Sequence, residues 1–124
     1  MHYAILCYNH EAAIGTTWPK ASEEAVMAHL ATIQDKLTRE GKLVSAARLD
    51  RTTTATTLKK SPVEQLVLDG PFAETKEQLL GFYIVECGSM EEALSIAREL
   101  SAAVPVGSYE IRPMRSFARD QRAP

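Results

Sequence analysis

Only two stretches of this chain repeat their apolar side chains with a helical period, and four strand-like segments separate them. The first stripe is Val26, Leu30, Ile33 and Leu37, spaced by four, three and four residues. The second is Ala93, Ile96, Ala97, Leu100 and Val104. Ser22 is placed to cap the first helix and Gly41, just after Glu40, to stop it. Ser89 and Glu92 form a capping box ahead of the second, and Pro105 and Gly107 end it.

The remaining runs read as strands. His2 to Tyr8 and Leu80 to Cys87 are apolar and aromatic, and Leu43 to Leu49 is mixed. Thr53 to Leu58 is β-branched and polar, which predicts an exposed or edge strand. Glu64 to Leu68 follows the Ser61-Pro62 turn, and its Leu66-Val67-Leu68 run reads as buried. Ser108 to Arg112 completes the set, and Asn9 to Pro19 is a loop in which Trp18 is an anchor against the core or a partner. The order β-α-β-β-β-β-α-β predicts an α+β fold, a ferredoxin-like sandwich with both helices on one face of a mostly antiparallel sheet. The opposite face then needs a cover, because Ile5, Val67, Phe82 and Ile84 cannot all lie under two helices. A second copy packed sheet to sheet is the economical answer, a dimeric α+β barrel.

The 124 residues make one domain, read as 1–114 with a basic tail at 115–124. Arg115, Arg119 and Arg122 of that tail, with Arg112 before it, face a single Asp120 and read as solubilising. A formal charge of −2, with an isoelectric point near 5.9, gives no electrostatic case for nucleic acid as a partner. There is no apolar run long enough to span a membrane and no secretory leader, so the expected address is cytoplasmic. Cys7 and Cys87 fall in strand interiors without a Cys-x-x-Cys pair or a zinc spacing, so neither a metal nor another cofactor is expected.

The densest chemistry lies in Asp69-Gly70-Pro71-Phe72-Ala73-Glu74-Thr75-Lys76-Glu77, between two strands. Reversing a chain requires only a residue such as Gly, Pro, Asn or Asp. Asp69 reads either as an Asx turn, accepting backbone N–H groups near Gly70, or as a catalytic carboxylate. Phe72 is a core plug or the apolar wall of a site. Glu74, Lys76 and Glu77 either pair with one another or bind a charged ligand. His29 falls about 60° from the centre of its helix stripe, at the boundary of the buried face. There it could move a proton if a carboxylate oriented it. His2 and His10 have no partner in the local sequence.

Residues 69–79 resemble the signature of DGPF-type proteins of the YCII-related family. The long helix ending in Glu40-Gly41, the threonine-rich hairpin, the Leu80-to-Glu86 strand, the Met90-Glu91-Glu92-Ala93-Leu94 helix start and Glu110-Ile111-Arg112-Pro113 are similar as well. The resemblance implies a ferredoxin-like fold assembled as a dimeric barrel, in a mostly bacterial family with some members encoded near extracytoplasmic-function sigma factors. It also implies an active-site pair of a helix histidine and an aspartate, matched here by His29 and Asp69. Two functions follow as expectations. One is an enzyme moving a proton on a small organic acid, with Asp69 and His29 catalytic and Phe72, Lys76 and Glu74 binding substrate. The other is a non-catalytic ligand-binding or regulatory dimer.

Overall fold

The computed structural model describes residues 1–11 and 20–118. Strands β1 (His2–Asn9), β2 (Leu43–Arg48), β5 (Gln78–Glu86) and β6 (Ser108–Pro113) form one sheet in the order β2-β5-β1-β6. Every pairing in it is antiparallel. Helices α1 (Lys20–Arg39) and α2 (Met90–Ser101) connect its strands. This is the expected α+β sandwich, with the strand order of a ferredoxin-like sheet.

The helix ends follow from local chemistry. Ser89 Oγ accepts from the Glu92 N–H at 3.1 Å, and Glu92 Oε2 accepts from the Gly88 N–H at 3.0 Å. Gly41 takes φ +73, and the N–H of Lys42 reaches back to the Leu37 carbonyl at 2.9 Å. The first helix starts two residues before Ser22, at Lys20; the cap expected of the Ser22 side chain and the anchor expected of Trp18 lie outside the described residues. α2 ends at Ser101, and Val104 belongs to the turn that follows, its N–H bonded to the Ser101 carbonyl.

The core lies between the helices and one sheet face. Tyr3 and Ile5 of β1 and Val85 and Cys87 at the end of β5 meet Leu37 of α1 and Ala93, Ile96, Ala97 and Leu100 of α2. Burying each of the larger apolar side chains contributes about 1.5–3 kcal/mol. Ile5 is therefore a core residue under the helices and does not share the opposite face with Phe82 and Ile84. Those two are half-buried on the far face, opposite Leu6 and Ala4 in register. The Phe117 ring packs on His2 at one edge of that face, 4.7 Å between centroids.

Six strands do not make one sheet. β3 (Thr56–Lys60) and β4 (Gln65–Asp69) form a separate two-stranded hairpin inserted between β2 and β5. A 3-10 turn at Thr52–Thr54 occupies the start of the predicted third strand, held by Thr54 Oγ1 on the Arg51 carbonyl at 2.7 Å. Ser61 closes the hairpin, its N–H bonding the Glu64 carbonyl at 2.9 Å. This arm packs chiefly on itself. Leu66, Val67 and Leu68 are 45%, 70% and 43% exposed, so the run expected to be buried is a surface in the single chain.

Candidate functional site

The chemistry-rich segment sits at the root of the arm. Gly70, at φ +96, donates its N–H to the Ala55 carbonyl at 2.7 Å, and Thr57 Oγ1 donates to the Gly70 carbonyl at 2.7 Å. The turn is thus closed by backbone and threonine. The Asp69 carboxylate is exposed and accepts no hydrogen bond from a described residue, so it does not form the Asx turn. Phe72 is 84% exposed, which rules out a core plug in the single chain. Glu74 and Lys76 are exposed, and neither joins an ion pair among the described residues. Glu77 instead accepts from Ser108 Oγ at 2.7 Å, tying the segment to the start of β6.

His29 occupies the boundary position expected of it, half-buried on α1, and faces α2. Its Nε2 lies 3.0 Å from the Glu99 carbonyl, a hydrogen bond that requires the proton on that nitrogen. No hydrogen bond or ion pair among the described residues joins His29 to Asp69. His29→Ala should therefore destabilise the fold by about 1 kcal/mol through the lost helix-to-helix bond. Asp69→Asn should leave stability within about 0.5 kcal/mol of the parent. Urea denaturation of both variants checks this, and a large loss for Asp69→Asn would show a structural role that the turn geometry does not give it.

A cleft of about 380 Å³ opens elsewhere, between α1 and the helix-facing side of the sheet. Neither Asp69 nor His29 lines it. Its floor follows from three small residues. Cys7 of β1 stands opposite Gly81 of β5, and Ala46 of β2 stands opposite Tyr83. No side chain rises from Gly81, and a bulge between Cys7 and Tyr8 perturbs β1 at the same level. Val26, Leu30 and Gln34 of α1 form the roof, and Leu100 and Val104 contribute further hydrocarbon. Tyr83 and Tyr109 supply the polar tips. Glu23 and Arg48, the charged residues of the lining, also line an adjoining hollow with Asp50 and Arg51.

Burial sets the protonation of this interior. It pushes the Cys7 thiol up to about 11. It also raises Tyr109 to about 12, with smaller contributions from the nearby Cys7 and Tyr83. Burial raises Tyr83 as well, opposed by its hydrogen bond from Gln34 Nε2 at 3.4 Å. At neutral pH the thiol and both phenols are uncharged, so Cys7 is no ready nucleophile. Among the described residues, no group of three or more His, Cys, Asp or Glu side chains is placed to hold a metal ion, and no helix is long and apolar enough to cross a membrane.

The family model for the YCII-related domain matches residues 1–118. The chain belongs to the YCII-related family. It is similar to an uncharacterized protein of Rhizobium meliloti (strain 1021), 54% identical over 118 residues that cover 94% of each chain. The family match spans both the cleft and the arm. Within this YCII-related fold, sequence reasoning located the arm and missed Cys7, Gly81, Tyr83, Tyr109 and Gln34. The available signal was Gly81, a glycine inside a strand, which marks a close approach or an omitted side chain.

Proposed function

We propose that this YCII-related protein binds a small, mainly apolar organic molecule in the cleft between α1 and the sheet. One observation carries the reading: a cleft of about 380 Å³, lined mainly by apolar residues with Glu23 and Arg48 in its wall, lies over a floor of the small residues Cys7, Gly81 and Ala46. Sites for small ligands are typically concave, mostly apolar and supplied with a few placed polar groups. Proton transfer by Asp69 and His29 on a small organic acid has less support. Asp69 stands on the arm and His29 bonds the Glu99 carbonyl, so a single chain gives them no shared cleft.

The same surfaces favour a homodimer. A lone two-stranded hairpin is marginal in water, yet this arm exposes Leu58, Val63, Val67 and Phe72 by 55%, 89%, 70% and 84%. The far face of the sheet carries Leu6, Phe82 and Ile84, half-buried and outside the core cluster that meets the helices. A second copy covers both. A ligand-binding dimer, cytoplasmic and of the DGPF type, is the reading we adopt.

The test is a thermal-shift screen of a metabolite panel against the parent and Ala46→Phe, which fills the floor. A ligand at 100 times its Kd stabilises the parent by about 2.7 kcal/mol. Ala46→Phe should lose that response while keeping a cooperative melt. Hits that stabilise both proteins equally would place binding somewhere other than the cleft.

A further inference from the structure

The cleft reading leads to a narrower one, which rests on it: the chemical class of the ligand. Tyr109 of β6 stands opposite Cys7, and Cys7 opposite Gly81, so one cross-strand row runs along the helix-facing floor. Tyr83 lies two residues beyond Gly81 on the same side of β5. Tyr109, Tyr83 and Cys7 all line the one cleft.

The hydrogen-bond accounting is uneven. Gln34 Nε2 donates to the Tyr83 oxygen at 3.4 Å, so that hydroxyl serves as an acceptor and its own proton meets no acceptor among the described residues. The Tyr109 hydroxyl likewise makes no hydrogen bond to a described residue, although both rings are half-buried. The Cys7 thiol has only a 3.8 Å contact with the Ile5 carbonyl. Two phenolic O–H donors therefore line a cleft whose wall also carries Val26, Leu30, Leu100 and Val104.

This setting discriminates in two directions. A carboxylate or phosphate drawn down to the phenols would shed much of its hydration, while the cation of the lining, the exposed Arg48 opposite Gly81, has its guanidinium turned to the Met27 sulfur of α1 at 3.8 Å. A plain hydrocarbon would leave two donors unpaired, which is unfavourable for buried polar groups. We propose that the cleft selects an uncharged, mainly apolar molecule bearing a carbonyl oxygen, which accepts from the hydroxyls of Tyr83 and Tyr109. Both phenols remain protonated across the physiological range, because burial raises them. The interaction is non-covalent, the Cys7 thiol being neutral.

Three probes of one shape class test this by calorimetric titration: 2-acetonaphthone, 2-ethylnaphthalene and 2-naphthoate. The ketone should bind about tenfold tighter than the hydrocarbon, as one to two net hydrogen bonds allow. The carboxylate should bind weakest. The Tyr83→Phe/Tyr109→Phe variant keeps both rings and should bring the ketone to the hydrocarbon's affinity, with the hydrocarbon unchanged; each single variant should fall between. Tightest binding by the naphthoate, or a ketone advantage that survives both substitutions, would overturn the ligand class. The cleft reading would still stand in that case if Ala46→Phe abolished binding of the probes. Binding of none of the three to the parent would overturn both.

Discussion

Gly81→Ala should destabilise the protein by about 1–3 kcal/mol, the cost of forcing an extra methyl group into a packed site. A Cβ at this position would meet the Ala47 carbonyl oxygen at 2.5 Å and the Arg48 Cα at 3.4 Å. Both are backbone atoms of the β2 segment, so no side-chain rotation relieves the overlap. β2 would have to move away from β5, in a pairing that already carries an irregularity between Leu43 and Ser45. Against a total stability of about 5–15 kcal/mol such a loss is large. Gly88→Ala is the matched control, because its Cβ would lie an ordinary 3.6 Å from the flexible Glu92 carboxylate. Urea midpoints of the two variants decide the matter. Equal midpoints would show that β2 accommodates the methyl group and that Gly81 is not needed for the close approach.

The second large effect concerns assembly. Phe72→Asp should raise the dissociation constant of the proposed homodimer roughly 30-fold or more, the scale of an aromatic anchor worth at least about 2 kcal/mol. Phe72 is 84% exposed in the single chain, so little of the chain's own packing depends on it. Melting of the dilute variant should therefore stay close to that of the dilute parent. Sedimentation velocity across a concentration series reads the association. A parent that remains monomeric at high concentration, or a variant that dimerises as well as the parent, would remove the arm from the interface. Apolar patches of this kind on a monomer mark interaction surfaces.

The two helices were legible because their signals are local. The stripe from Val26 to Leu37, the Ser89–Glu92 box and the Gly41 stop each depend on neighbours within a turn or two. Strand membership was less legible because it depends on distant pairing. Leu66-Val67-Leu68 has the composition of a buried strand, and composition cannot tell whether the burial comes from the chain itself or from another copy. The threonine-rich run before it did carry a correct hint, its polarity marking the exposed side of the arm. The candidate site was harder still. Asp69, Glu74 and Lys76 attract attention because charges are conspicuous in a sequence. The cleft is built from a cysteine, an alanine, a glycine and two tyrosines on four different strands. They become neighbours only once the registers of β1 with β5 and β6, and of β2 with β5, are known.

The three small residues under the cleft are not equivalent. Gly81 is fixed by the backbone of the adjacent strand, whereas Cys7 and Ala46 already carry side chains that line the cleft. Depth and selectivity can therefore be tuned at two positions while the sheet that holds them keeps its register. Exchanging Ala46 for serine or valine, or Cys7 for alanine, would change which molecules fit and leave the hydrogen-bonded frame intact. A chain built this way can diverge in what it recognises without first having to refold.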